Sequence, residues 1–178
     1  MNVPAGDTVI DTPIVFPDYG PCVIKGEGEE VSRIIVNTPQ SGIIGNFSNF
    51  AHKSIKNLSL VCPVVTTEPA INLSWPYANS INDPTFSLHN VRIAPEPSVN
   101  HIGWKAGIRL NHCWNGSISN VLIHGDNADN DYLVYGLQLD GRSMDMAVDG
   151  LKIFGAQTGI LIIGACEGPM ISHSLMMA

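Results

Sequence analysis

An apolar phrase recurs along this chain with its spacing intact. It is clearest in residues 118–125, and copies occur in residues 55–60, 88–93 and 148–153. Each copy has an apolar residue, a spacer, Asn or Gly, and then two apolar residues separated by one other residue. The Asn or Gly positions are spaced by 33, 30 and 30 residues and are Asn57, Asn90, Asn120 and Gly150. A period of this length predicts a solenoid.

A second phrase alternates with the first. Its form is Gly or Ala, an aliphatic residue, a variable residue and a second aliphatic residue, and we call it the Gly-Ile-x-Leu phrase. It occupies residues 70–73, 107–110, 136–139 and 159–162. Both phrases have the two-residue period of a β-strand, in which alternate side chains face opposite sides. The alternation predicts two strand families that return in every coil.

The recurring Asn or Gly marks a sharp bend, because these two residue types tolerate left-handed backbone geometry. After the bend, one set of side chains faces the interior: Leu58, Leu60, Val91, Ile93, Val121, Ile123, Leu151 and Ile153. The outward set is Ser59, Arg92, Leu122 and Lys152. Stacked coils would place the bend asparagines about 4.8 Å apart, so that their amides hydrogen-bond along the axis. The sequence therefore predicts an all-β parallel β-helix, with three short strands per coil and an Asn-containing bend.

Length and composition fit one solenoid domain. The 178 residues are 44% hydrophobic, which supplies a core for a single domain over residues 1–178. Residues 1–50 are predicted to form opening coils and residues 51–178 regular coils. The chain ends within what reads as a further coil, so we expect a fragment or one part of a larger protein.

Charge and cysteine usage limit the partners. A net charge of −7, with nine scattered basic residues, argues against nucleic acid. No apolar run has the length of a membrane span, and no secretory signal precedes the first strands. The four cysteines have no metal-like spacing, and we expect them to be free: Cys22, Cys62, Cys113 and Cys166. These features fit synthesis in a reducing cytoplasm.

The bend, the Gly-Ile-x-Leu phrase and the opening residues 3–14 and 24–28 resemble the right-handed β-helix of the pectate-lyase-like superfamily. Within it, the chain is most similar to bacteriophage tailspike and capsule-depolymerase domains. The resemblance implies a right-handed solenoid, a homotrimer, a virion tail location alongside other tail proteins, and a bacterial surface polysaccharide as ligand. Export by cell lysis would need no signal peptide.

Two carboxylates are the candidate catalytic pair. Glu96 stands three residues after Ile93, and Asp126 stands three residues after Ile123 in the next coil. Equal offsets predict a separation of about 5 Å, which suits a retaining glycosidase, or more if the loops diverge, which suits an inverting one. Two solvated loop carboxylates are the alternative. Pairing of these carboxylates with Lys or Arg would favour a binding role over catalysis.

The same loops and the adjoining strand supply candidate substrate-binding residues: Trp104, Arg109, Asp129, Asp131, Tyr132 and Gln138. Aromatic rings offer a flat surface to a sugar ring, and polar groups bind its hydroxyls. The acidic run over residues 126–131 has alternate Asn and Asp, but it lacks the Gly and final Glu of a calcium loop. We therefore predict no required cofactor or metal site, and Ca²⁺ at this run is the alternative.

The loops after the Gly-Ile-x-Leu strand offer a second location for the site, or the packing surface of a trimer. They carry Trp75, Tyr77, Asp83, His112, Trp114, Asp140, Arg142, Asp145 and Glu167. The predicted function is binding, and cleavage by a hydrolase or lyase, of a bacterial surface polysaccharide by a tailspike-like protein. One alternative is a non-catalytic structural or receptor-binding segment of a tail fibre. The other is a cellular pectate-lyase-like lyase.

Overall fold

The computed structural model describes residues 1–77, 85–96, 103–125 and 133–177. Within these residues the chain forms fifteen strands: β1 Gly6–Ile10, β2 Ile14–Val15, β3 Cys22–Lys25, β4 Ser32–Val36, β5 Ile43–Asn46, β6 Lys53–Cys62, β7 Val65–Ser74, β8 Phe86–Pro95, β9 Gly103–Asn111, β10 Ser117–His124, β11 Leu133–Asp140, β12 Ala147–Phe154, β13 Ala156–Ile162, β14 Met170–Ser172 and β15 Leu175–Met177. None of the described residues is helical, so none belongs to a helix long and apolar enough to cross a membrane.

Two parallel sheets share these strands. Sheet A joins β1, β4, β6, β8, β10, β12 and β14 in that order, with β3 beside β6 and β15 beside β12. Sheet B joins β13, β11, β9, β7, β5 and β2. From β6 to β13 the chain alternates between the two sheets, so these strands make four complete coils. The fold is a parallel β-helix, as the two alternating phrases predicted.

The predicted bend is present in every regular coil. Its residues have left-handed backbone angles: Asn57 (φ 57°), Asn90 (φ 51°), Asn120 (φ 50°) and Gly150 (φ 67°). Asn90 Nδ2 donates to Asn57 Oδ1 at 3.2 Å, which is the expected amide contact along the axis. In the following coil, His173 takes the bend position with φ 45°. Asp149 pairs with Ser172, so the next residue, His173, lies opposite Gly150. The sequence phrase did not reveal this histidine.

The strands on either side of the bend run together in the central coils. There β6, β8, β10 and β12 each continue through the bend residue for eight to ten residues. At both ends of sheet A the two segments are separate: β3 and β4 pair with successive halves of β6, and β14 and β15 pair with successive halves of β12. The three predicted segments per coil are therefore present. In the central coils, the segments before and after the bend form one continuous strand.

The interior between the sheets is filled by the predicted aliphatic positions. All eight inward residues after the bend are at most 1% exposed, as are Ile71, Ile108 and Leu137 of sheet B. Complete burial of each such side chain contributes about 1.5–3 kcal/mol to folding. All four cysteines are free, as predicted. Burial raises the pKa of Cys62 to about 11 and that of Cys113 to about 12, so both thiols stay protonated at neutral pH.

Candidate functional site

The outer surface of sheet B carries two rows of polar side chains across neighbouring coils. The first row pairs in register along β5, β7, β9 and β11 and consists of Asn46, Ser74, Asn111 and Asp140. The second lies two residues earlier on β7, β9 and β11 and consists of Asn72, Arg109 and Gln138. We call these seven residues the polar strip. Since adjacent parallel strands lie about 4.8 Å apart, the strip repeats at the spacing of the coils.

The Gly-Ile-x-Leu phrase explains why these residues point outward. Its two aliphatic residues face the core, so the variable residue and the residue after the phrase lie on the outer side of the strand. Gln138 is only 7% exposed there, whereas the other six members of the strip are partly or fully exposed. The leading glycine allows close approach of adjacent coils: a Cβ on Gly107 would lie 2.3 Å from the Gly136 carbonyl oxygen. The sequence predicted Arg109 and Gln138 as binding residues, and the structure places them side by side. It missed the amides and hydroxyl of the other coils, although they occupy the same phrase positions.

Hydrogen bonds connect the strip from coil to coil. Arg109 Nη2 donates to Asp140 Oδ2 at 2.7 Å, and Gln138 Nε2 donates to the same oxygen at 3.2 Å. The Gly141 backbone N–H donates to Asp140 Oδ1 at 2.8 Å. Asn111 Nδ2 donates to Ser74 Oγ at 3.1 Å. These contacts fix the side chains before a ligand arrives, which reduces the entropy lost on binding.

Asp140 is held ionised by its neighbours. Burial raises the pKa of Asp140, but hydrogen bonds from Arg109, the Gly141 backbone and Gln138 outweigh burial, so its pKa lies below the ordinary value. Tyr135 is half-buried nearby, and burial raises its pKa above the ordinary value despite the opposing charge of Arg109. At neutral pH the strip therefore contains a carboxylate and a guanidinium, with the neutral phenol of Tyr135 nearby.

An exposed aromatic ring borders the strip. Tyr77 is 64% exposed and packs edge-on against His112 with ring centroids 5.6 Å apart. Arg142 Nη1 donates to the Tyr77 hydroxyl at 3.1 Å, and the Arg142 backbone N–H donates to His112 Nδ1 at 3.0 Å. His112 directly follows Asn111 of the strip. Tyr77 thus places an exposed aromatic ring beside the polar rows, with the Arg142 guanidinium carbon 5.7 Å from its centroid.

A cavity of about 650 Å³ adjoins the amino-terminal end of the strip. Its lining includes Asn46, Asn72 and Ser74 from the strip and the segment Val15, Phe16, Pro17 and Asp18. A buried lysine holds that segment in place. Lys53 Nζ donates to the carbonyl oxygens of Pro17 and Gly20, each at 2.7 Å. The cavity therefore has a polar wall, formed by the strip residues, and a partly apolar wall, formed by residues 15–18, which Lys53 holds in place.

Glu96 lies apart from the strip, in a cavity of about 300 Å³ over sheet A. Its carboxylate accepts a hydrogen bond from Arg33 Nη2 at 3.0 Å, and Arg92 forms a second ion pair with Glu30 at 3.0 Å. Both pairs reach across the coil that contains Ser59, whose small side chain lies between the two arginines in register. Glu96 is thus engaged by arginine, the arrangement expected of a binding or structural role.

Trp104 belongs to the core. Its side chain is only 4% exposed, so its ring offers no surface to a sugar in solution. Four predicted site residues lie outside the described part of the chain: Asp126, Asp129, Asp131 and Tyr132. The Glu96–Asp126 pair and the Ca²⁺ alternative at residues 126–131 stay predictions for that reason. Among the described residues, no group of three or more His, Cys, Asp or Glu side chains could hold a metal ion.

No family model, no curated protein and no solved structure matches this chain. Fold and surface therefore define its class: a parallel β-helix with an in-register polar strip across four coils of one sheet.

Proposed function

We propose that this chain binds a bacterial surface polysaccharide along the polar strip, as a β-helix segment of a bacteriophage tailspike or tail fibre. The observation that carries the proposal is the pair of in-register polar rows on sheet B, bordered by exposed Tyr77. Amides, a hydroxyl and an ion pair hydrogen-bond to sugar hydroxyls, and a tyrosine ring packs against the C–H face of a sugar. A row that repeats with each coil suits an extended, repetitive ligand.

Binding is tested with Tyr77→Ala against a panel of capsular and O-antigen polysaccharides. Loss of an aromatic contact worth about 0.5–1.5 kcal/mol should weaken binding about two- to twelvefold. The matched control is Phe154→Ala, which removes an aromatic ring packed against His124 on sheet A. Equal affinity for Tyr77→Ala and wild type, with loss in the control, would move the ligand to sheet A.

The tailspike assignment includes a homotrimer within a virion tail, in contact with other tail proteins and made in the host cytoplasm. The sequence resemblance described above supports it. Sedimentation equilibrium tests the trimer, with an expected mass of three times 19.1 kDa. A mass of 19.1 kDa would contradict the trimer and favour the cellular lyase alternative.

Cleavage of the polysaccharide is the second candidate function. Glu96 supports it, because it lines a cavity of about 300 Å³, although Arg33 engages its carboxylate. The test is release of new reducing ends by wild type and by a Glu96→Gln/Asp126→Asn variant. Release by wild type alone would support these carboxylates as catalytic residues. Binding without release would leave the non-catalytic role, and release by both would place catalysis elsewhere.

A further inference from the structure

Resting on the proposed function, we propose that the polysaccharide is uncharged where it contacts the polar strip. The strip carries one positive and one negative side chain, Arg109 and Asp140, and these are hydrogen-bonded to each other at 2.7 Å. The other five members are amides or a hydroxyl. The guanidinium is already matched by a carboxylate, so a uronate or phosphate on the ligand would have to compete with Asp140 for it.

The charges around the strip do not favour an anion either. Asp18 lines the cavity at one end, and Glu68 lies close enough to Tyr135 to affect its titration. The positive groups nearby are Arg142, at the Tyr77 edge, and Lys53, whose charge acts on Asp18. With Arg109 and Asp140, these described groups sum to three positive and three negative charges. The whole chain carries −7, which adds long-range repulsion of a polyanion.

The exposed uncharged members of the strip suit sugar hydroxyls through their hydrogen-bonding groups. Asn72 and Asn111 each combine donors with an acceptor, as a hydroxyl-rich chain requires. Gln138 is only 7% exposed and donates to Asp140, so it positions that carboxylate. Ile44 and Leu161 stand at the two ends of the second row, in register with these polar residues. Apolar residues next to amides favour ligands with both C–H and O–H surfaces, and they give no stabilisation to a carboxylate.

The test compares acidic polysaccharides with their own carboxyl-reduced forms, which differ only in charge. Titration calorimetry at low and high salt measures the affinity of wild type for both members of each pair. We expect the reduced form to bind at least about tenfold more tightly at low salt, with an affinity that changes less than about twofold as salt is added. A wild-type preference for the acidic form would overturn this inference and leave the proposed function standing.

Asp140→Asn provides the sharper experiment, because it removes the partner of Arg109 with little change in shape. This variant should gain about tenfold in affinity for acidic forms at low salt, and the gain should fall as salt is added. Asp149→Asn is the matched control: it makes the same charge change on sheet A, where Asp149 contacts Ser172 and His173. An unchanged acidic-to-reduced ratio in folded Asp140→Asn would overturn the inference. Absence of wild-type binding to every polymer in both forms would overturn the proposed function itself.

Discussion

The asparagine at the bend performs two tasks with one side chain. Asn90 tolerates a left-handed backbone at φ 51°, and its amide donates to Asn57 in the preceding coil at 3.2 Å. Glycine performs only the first task, as at Gly150. The residue type at this position therefore sets both the direction of the chain and the registration of adjacent coils.

Substitution of Asn90 separates these two tasks. Asn90→Ala introduces a residue that disfavours the left-handed region and lacks the amide, so we expect a loss of about 2 kcal/mol in the free energy of unfolding. Asn90→Gly keeps the backbone geometry and loses the hydrogen bond together with the extra conformational entropy of glycine, so we expect a smaller loss of about 1 kcal/mol. Urea titration measures both variants. Equal losses would show that backbone geometry contributes nothing at this bend.

Asp140 gives the strip a defined pH dependence. Its pKa is lower in the folded protein than the ordinary value of 3.8, so the folded state binds its proton less readily than the unfolded state. The resulting stability is complete above that ordinary value and is lost as pH falls through the lowered pKa. Asp140→Asn cannot titrate. The difference in unfolding free energy between wild type and this variant should therefore be constant near neutrality and decline in acid; a difference that grows on acidification would contradict this.

At the scale of elements, a buried lysine joins the opening segment to sheet A. Lys53 is fully buried on β6 and donates to the carbonyl oxygens of Pro17 and Gly20, while its ammonium lies 4.7 Å from the Phe47 ring centroid. Burial lowers the pKa of Lys53, despite opposing contributions from Cys22 and Asp18. The carbonyl contacts offset part of the cost of this buried charge.

Lys53→Met should leave those carbonyl oxygens without a donor. We expect a loss of about 2 kcal/mol or more in the free energy of unfolding, and weaker binding of polysaccharide if the cavity wall moves. Lys152→Met, at an exposed position of sheet A, should change stability by less than about 0.5 kcal/mol. Thermal unfolding of both variants tests this, and equal stabilities would show that the carbonyl contacts contribute nothing.

The strands were predictable from sequence because each phrase repeats at equivalent positions of successive coils. Ile108 and Leu110 face the core by the same alternation that turns Arg109 outward. Arg109 and Gln138 pair in register on adjacent strands, although Gln138 is only 7% exposed, and their predicted binding role stays a prediction. Residues outside the phrases were harder. Trp104 is buried in the core. Glu96 contacts Arg33, 63 residues earlier, because the small Ser59 lies between Arg33 and Arg92 in the intervening coil. Such contacts depend on side-chain size in an intervening coil, which periodicity does not reveal.

For the whole molecule, the stacking of coils arranges surface side chains in rows along the axis of the solenoid. Each coil pairs with its two neighbours, so a residue type repeated at one phrase position becomes a continuous row along the axis. The first row of the strip advances from Asn46 to Asp140 in three coil steps, which is about 14 Å at about 4.8 Å per step. The length of the strip thus follows from the number of coils that carry polar residues there.

This length predicts how affinity should depend on ligand size. Under the proposed function, each added sugar contacts a further coil until the strip is covered, so affinity for an uncharged oligosaccharide should rise with chain length. It should then level off once the ligand exceeds about 14 Å, because Ile163 follows Asp140 in the first row and offers no polar side chain. Titration calorimetry with a graded series of oligosaccharides measures the curve. A disaccharide that binds as tightly as the polymer would confine the site to one cavity. In that case Asn46→Ala should weaken the binding of every oligosaccharide equally. If the ligand instead lies along the whole strip, Asn46→Ala should weaken the binding of the longer oligosaccharides only.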